Sequence, residues 1–154
     1  TIAEKEAKMT DPDQAVEFVR ITNVDALAVT IGNVHGEYKS SPRLDFPRLE
    51  RIRNLINIPL VLHGASGLPA EMIARSIQLG VCKFNVNTEV RQAYMQALKN
   101  EICGQPGKDL LDITGEAIEA MQEVITEKLE LFGSVGKAHL HETPYAVSLA
   151  PHSY

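Results

Sequence analysis

Apolar positions along the chain form two kinds of pattern, continuous runs and helical spacing. Three short, continuous apolar runs, each ended by a glycine or a polar residue, are typical of strands that are covered on both faces in a parallel sheet. These runs span residues 26–31, 58–62 and 81–86. Amphipathic stretches with helical spacing separate and follow them. This order predicts an α/β fold, in which right-handed helical crossovers join parallel strands.

Each amphipathic stretch carries a helix start signal and one apolar side. The helices are expected to begin near Asp11, Asp45, Pro69 and Thr88, with Thr88 as the cap of the last one. The side chains expected to be buried are Ala15, Val16, Phe18 and Val19 in the first helix, Leu49, Ile52, Leu55 and Ile56 in the second, and Met72, Ile73, Ser76 and Ile77 in the third.

The pattern changes in the last third of the chain. A glycine- and proline-rich loop at residues 104–107 precedes one long helix over residues 109–132, with an interruption or kink expected near Gly115. The broad apolar face of this helix is expected to pack across the barrel wall or against another subunit. Residues 134–154 carry glycine, proline and polar interruptions and are expected to form a mobile tail behind a domain over residues 1–133.

Composition and charge exclude several classes of partner. The 154 residues carry a net charge of −5 and no basic cluster, so nucleic-acid binding is not expected. The N-terminus is charged and no apolar run reaches the about 18 residues of a membrane span, so we expect a cytoplasmic location without membrane association. Cys82 and Cys103 lie among apolar residues without metal-like spacing and are interpreted as buried thiols. Small molecules or copies of the same chain remain as expected partners.

Two histidine–glycine steps close apolar runs, at Val34-His35-Gly36 and at Leu62-His63-Gly64. In parallel sheets with helical crossovers, ligands bind beyond the carboxyl ends of the strands, and His35, His63 and Asn85 all fall at that edge. Imidazole is a common zinc ligand, and glycines let an anion approach backbone N–H groups. The sequence therefore predicts a corner that binds a metal and a phosphate group.

Several separated motifs occur in order along the chain. They are His35-Gly36-Glu37-Tyr38-Lys39, Pro42-Arg43-Leu44-Asp45-Phe46, Ile58-Pro59-Leu60-Val61-Leu62-His63-Gly64-Ala65-Ser66-Gly67 and Gly80-Val81-Cys82-Lys83-Phe84-Asn85-Val86-Asn87-Thr88-Glu89. Together they resemble the class II, metal-dependent ketose-bisphosphate aldolases, in particular the tagatose-bisphosphate and related fructose-bisphosphate branch. The resemblance runs from about Thr10 to Gly133. It implies the C-terminal portion of a (β/α)8 TIM barrel, with three parallel strands and their helices, followed by C-terminal helices.

The resemblance also implies a site and a reaction. It assigns zinc, or another divalent metal, to His35 and His63. The third ligand and the aspartate that moves the proton come from an earlier strand, so no catalytic residue is expected within this chain. The positions that match the dihydroxyacetone phosphate site are Gly36, Gly64, Ala65 and Ser66, and those that match the second substrate loop are Asn85, Val86, Asn87 and Thr88.

The implied activity is the cleavage of fructose- or tagatose-1,6-bisphosphate into dihydroxyacetone phosphate and an aldehyde, or the reverse condensation, in glycolysis or related carbohydrate metabolism. Asn87 departs from the aspartate or alanine expected at its position, which bears on aldehyde specificity and sugar stereochemistry.

Other interpretations of the same residues stay open. The chain could be a non-catalytic phosphate-binding or assembly domain derived from an aldolase barrel, or a Schiff-base aldolase that uses Lys83, which shares the strand phase of Asn85. His139, His141 and His152 could imitate a metal-binding tract but are interpreted as part of a solvated tail. As an aldolase, the chain is expected to form a homo-oligomer or to be part of a longer enzyme, and it is not expected to be a competent catalyst alone.

Overall fold

A computed structural model describes residues 9–34 and 41–141 of the chain. It contains a parallel sheet of three strands in the order β1-β2-β3, which confirms the predicted α/β arrangement. The elements are, in chain order, α1 (Pro12–Thr22), β1 (Leu27–Val29), α2 (Phe46–Leu55), β2 (Leu60–Leu62), α3 (Ala70–Gln78), β3 (Val81–Phe84), α4 (Thr88–Gly104) and α5 (Leu110–Leu131). A short 3₁₀ turn follows at Ala138–His141.

The central strand β2 sets the register of the sheet. Its last residue, Leu62, lies opposite Val29 of β1 on one side and Phe84 of β3 on the other. These three residues end their respective strands. The pairing of β2 with β3 contains a register shift between Leu60 and Val61. The carboxyl ends of all three strands therefore meet at one edge, where a parallel sheet with helical crossovers binds its ligands.

Helix starts follow the expected signals, with one exception. Asp11 caps α1, because its side chain accepts hydrogen bonds from the N–H groups of Asp13 and Gln14 at 3.0 and 2.9 Å. Asp45 caps α2 by accepting from the Arg48 N–H at 3.0 Å. The prediction for Thr88 is wrong: Asn87 occupies the cap position of α4 and makes no side-chain capping bond, and Thr88 is the first helical residue.

The core lies between the sheet and the apolar sides of α1, α2 and α3. Its largest fully buried apolar side chains are Val29, Ile31, Leu49, Ile52, Leu60, Leu62 and Ile73. Four side chains predicted to be buried are instead exposed, with fractional exposures of 37% for Val16, 50% for Phe18, 47% for Leu55 and 37% for Ile77. These residues sit on the flanks of their apolar stripes or at a helix end, so only the centre of each stripe reaches the core.

The strands are not covered on both faces as their apolar runs predicted. Of the three strands in the described residues, only β2 is buried along its whole length, whereas Ala28 of β1 and both Cys82 and Lys83 of β3 are exposed. Successive strand residues point to opposite faces, so each outer strand in the described part of the chain has side chains on an uncovered side. The interpretation of the cysteines as buried thiols is also wrong, because Cys82 and Cys103 are both exposed.

Helices α4 and α5 pack against each other and are joined by the loop 105–109. Lys108 in this loop forms an ion pair with Glu101 of α4 at 2.5 Å. The expected interruption near Gly115 is absent, since α5 is continuous over 22 residues. At its C-terminal end the Phe132 ring stacks on Phe84 of β3, with ring centroids 4.7 Å apart. The long helix is therefore anchored both to α4 and to the sheet.

Two contacts hold together the ends of the segment between β1 and α2. The Asp45 N–H donates to the Ile31 carbonyl oxygen at 2.8 Å. Gly32 has a φ of +103°, and a Cβ at this position would lie 2.5 Å from the Arg43 carbonyl oxygen. Only glycine combines this backbone conformation with so close an approach. The two ends of residues 32–44 are therefore held side by side.

The described part of the chain ends at residue 141, so the predicted tail and the domain boundary before residue 134 stay predictions. His152 lies outside the described residues, and of His139 and His141 only the backbone is described. No helix within residues 9–34 and 41–141 is long and apolar enough to cross a membrane.

Candidate functional site

The carboxyl ends of β2 and β3 bring two of the predicted site residues to one place. His63 directly follows β2 and Asn85 directly follows β3. The Asn85 N–H donates to the Leu62 carbonyl oxygen at 3.3 Å, so the parallel pairing continues one step beyond the strands. His63 is half-buried and Asn85 is exposed. Both residues therefore stand at the edge where the sequence places a ligand.

A tight turn follows His63 and holds the predicted phosphate residues. Gly64 and Gly67 have φ angles of +63° and +78°, and the Leu68 N–H donates to the Ala65 carbonyl oxygen at 3.2 Å. Ala65 and Ser66 are 4% and 6% exposed. The two glycines let the chain double back at this edge of the sheet.

Ser66 connects this turn to the second predicted substrate loop. The Asn87 N–H donates to Ser66 Oγ over 3.4 Å. Within the same loop, Val86 packs its side chain against the core, and half-buried Thr88 opens α4. Residues 64–66 and 85–88, which are separated in sequence, are thus joined at the carboxyl edge of the sheet.

Lys83 orients the Asn85 side chain. Its ammonium nitrogen lies 2.6 Å from Asn85 Oδ1. Because an ammonium group can only donate, the oxygen of the Asn85 amide must face Lys83, and its NH₂ group must face the other way. Asn85 therefore presents hydrogen-bond donors to its remaining surroundings.

Asn33 supports the site and was not identified from the sequence. Its side-chain oxygen accepts from the Ile31 N–H at 2.8 Å, and its side-chain nitrogen donates to the His63 carbonyl oxygen at 3.0 Å. This amide ties the end of β1 to the end of β2. The only sequence signal was a polar residue just after Gly32, which an ordinary turn explains equally well.

Glu89 and Lys128 form a second support that the sequence did not reveal. Glu89 Oε1 accepts from the Gly67 N–H at 2.6 Å, and Glu89 Oε2 lies 2.8 Å from the ammonium nitrogen of Lys128. No pattern in the sequence connects α5 with the turn after His63. This contact depends on how α4 and α5 pack, which only the fold shows.

The described residues do not form a complete metal site. His63 is the only predicted ligand among them, because His35 lies outside the described residues together with Gly36. Within residues 9–34 and 41–141, no three histidine, cysteine or carboxylate side chains come together to hold an ion. A catalytic zinc usually has three protein ligands, so even His35 and His63 together leave the set short.

Comparisons with known proteins assign the family. The family model described as fructose-bisphosphate aldolase class-II matches residues 1–137. This chain belongs to that family. The YdjI aldolase from Escherichia coli K12 has 47% sequence identity to this class II aldolase chain. Its crystal structure matches with a TM-score of 0.77 over 84% of the chain.

Two further structures have the same fold. A fructose-1,6-bisphosphate aldolase candidate from Coccidioides immitis is 32% identical, with a TM-score of 0.79 over 86% of this chain. The fructose-bisphosphate aldolase from Campylobacter jejuni, at 20% identity and a TM-score of 0.67 over 81% of this chain, supports the fold alone.

The class II aldolase chain described here spans about half of each of these solved structures, with coverages of 48%, 46% and 45%. Its three parallel strands and helices thus correspond to a portion of an aldolase barrel.

Proposed function

We propose that this chain forms the phosphate-binding edge, and part of the metal-binding edge, of a class II aldolase. The reaction is the reversible cleavage of fructose- or tagatose-1,6-bisphosphate into dihydroxyacetone phosphate and an aldehyde. The observation that carries this proposal is the contact between Ser66 and Asn87, which joins two loops beside His63 at the carboxyl edge of the sheet. The family match over residues 1–137 supplies the reaction class.

The two loops offer an anion several neutral donors and a helix end. Ser66 Oγ accepts from Asn87, so its hydroxyl hydrogen is available to donate to a phosphate oxygen. Asn87 does not cap α4 with its side chain, which leaves N–H groups in the first turn of a 17-residue helix for a ligand. Gly64, Ala65 and Val86 contribute backbone, and Asn85 contributes its NH₂ group. The predicted role of Gly36 is part of the same proposal.

The proposed cofactor is Zn²⁺ or another divalent ion, with His35 and His63 as two of its ligands. Such an ion acts as a Lewis acid on a ketone oxygen. The ligand set within this chain is incomplete, so we assign no reaction step to the metal here. The acid–base group that moves the proton is expected upstream of this chain, and residues 1–154 are assigned binding roles only.

The proposed partners are sugar phosphates, together with either further sequence of a longer chain or further copies of this one. A cytoplasmic location is part of the proposal. The charge of −5 without a basic cluster favours a small-molecule ligand over a nucleic acid.

The deciding experiment measures aldol cleavage by the full-length protein. Fructose- and tagatose-1,6-bisphosphate are supplied separately, before and after treatment with a chelator and after Zn²⁺ is restored. We expect chelator-sensitive cleavage of at least one of the two sugars, with recovery on adding the metal.

Other outcomes would support other functions. Binding of dihydroxyacetone phosphate without turnover would identify a non-catalytic phosphate-binding domain. Chelator-resistant turnover with trapping by borohydride at Lys83 would identify a Schiff-base aldolase.

A further inference from the structure

Glu89 connects the turn after His63 to the long C-terminal helix. One carboxylate oxygen accepts from the Gly67 N–H at 2.6 Å, and the other lies 2.8 Å from the Lys128 ammonium nitrogen. The Lys128 and Glu89 side chains are only 15% and 26% exposed. Glu89 Oε2 is buried and accepts no hydrogen bond from the described residues, so its contact with Lys128 is an ion pair. The negative charge of Glu89 is thus compensated mainly by Lys128.

Because Glu89 lies beside the proposed phosphate site, its negative charge affects ligand binding. It lies in the first turn of α4, two residues after Asn87, whose N–H contacts Ser66. A bare carboxylate beside a phosphate site repels the ligand, and partial burial weakens solvent screening of that repulsion. The Glu89 contact also takes the Gly67 N–H, so this donor holds the turn in place instead of meeting the phosphate.

The position of Lys128 is fixed from the sheet side as well. Phe132 lies one helical turn further along and stacks on Phe84, which ends β3 next to Asn85. Helix α5, which contacts this sheet edge through Phe132, therefore holds Lys128 next to Glu89. Its other close carboxylate, Glu127, lies at 3.7 Å and is largely exposed.

We propose that Lys128 is a positioning residue for phosphate binding. Acting through Glu89, it neutralises a carboxylate beside the phosphate site and fixes the 64–67 turn against the start of α4. This inference rests on the proposed function, because it requires residues 64–66 and 85–88 to hold a phosphate group. It gives the C-terminal helix α5 a direct influence on substrate affinity.

The test compares four variants of the full-length enzyme: Lys128→Met, Lys128→Arg, Glu89→Gln and the double variant Lys128→Met/Glu89→Gln. Arg51→Met is the matched control, since Arg51 also forms an ion pair between helices, with Asp13 at 3.0 Å, but on an exposed surface. The measurements are the Kd for dihydroxyacetone phosphate by calorimetry and the KM and kcat for the cleaved bisphosphate. Circular dichroism confirms that each variant is folded.

Lys128→Met leaves the carboxylate uncompensated and is expected to raise Kd and KM about tenfold, with kcat changed less than about twofold. Glu89→Gln keeps an oxygen that can accept from Gly67 and should change Kd less than about threefold. In the double variant no charge remains, so the affinity should return to within about threefold of the wild type. Lys128→Arg should bind like the wild type, and so should the Arg51→Met control.

Unchanged affinity in Lys128→Met would overturn the inference while leaving the proposed function intact. A double variant that binds as weakly as Lys128→Met, or more weakly, would also overturn it, because the loss would then come from packing and not from the charge of Glu89. If Lys128→Met fails to fold, Lys128→Gln, which also removes the positive charge, takes its place with the same expected loss of affinity. A wild-type enzyme that binds no dihydroxyacetone phosphate would overturn both the inference and the proposed function.

Discussion

The side-chain amide of Asn33 donates to the carbonyl oxygen of His63 over 3.0 Å and accepts from the Ile31 N–H at 2.8 Å. Replacing it with leucine leaves both backbone groups without these partners in a part-buried position. We expect the free energy of unfolding of the full-length protein to fall by about 1–3 kcal/mol in urea denaturation. Asn100→Ala is the control, since exposed Asn100 accepts from Gln96 one turn away within the same helix. Equal losses in both variants would contradict a specific role for Asn33.

Ser66→Ala tests the proposed phosphate site. Removing a hydroxyl that donates to a charged oxygen is expected to weaken dihydroxyacetone phosphate binding by roughly tenfold, while metal content measured by atomic absorption stays unchanged. Ser76→Ala is the matched control, because Ser76 is also buried but bonds the Met72 carbonyl oxygen within α3. If Ser66→Ala retains full affinity, Ser66 does not contact the ligand.

His63→Ala tests the proposed metal site. Loss of one imidazole from a small ligand set is expected to lower bound metal and aldol cleavage together in the full-length enzyme. His35→Ala should behave in the same way. Cys82→Ser is the control, since this exposed thiol at the sheet could otherwise be mistaken for a ligand. Normal metal content in both histidine variants would rule out the proposed ligands.

Lys108 gives a prediction for alkaline pH. The hydrogen bond to the Glu101 carboxylate raises the pKa of the Lys108 ammonium above its ordinary value. Because the folded pKa is raised, this stabilisation is fully present below the ordinary lysine pKa of about 10.4 and is lost as pH rises through the higher folded pKa. The stability difference between wild type and Lys108→Met, measured by denaturation from pH 8 upward, should therefore shrink at the alkaline end. A difference that does not depend on pH would contradict the ion pair as its cause.

Local sequence signals predicted the elements of the fold well. Asp11 and Asp45 mark helix starts because their short side chains accept from nearby N–H groups, and such contacts need no distant partner. The short apolar runs predicted the three strands and their parallel arrangement. The prediction that Cys82 and Phe18 are buried was wrong. Burial depends on what packs against each face of an element, and the apolar residues nearby in sequence do not show this.

The candidate site was predicted only where its residues follow strand ends. His63 and Asn85 could be placed because parallel strands bring their carboxyl ends together, and the turn after His63 could be read from its glycines. Asn33, Glu89 and Lys128 could not be found in this way. Their contacts cross from one element to another, and no spacing rule along the chain records them.

The hydrogen bond between Ile31 and Asp45 has a consequence for how this family can diversify. This hydrogen bond holds the two ends of the loop between β1 and α2 together. Doubling the length of the loop then costs only about 0.6 kcal/mol in closure entropy. Insertions between residues 37 and 42, after the proposed site residues His35 and Gly36, can then accumulate without displacing β1 or α2. Library design at this sheet edge therefore has the most freedom in the length of residues 37–42, while Asn33, His35 and Gly36 keep their identities.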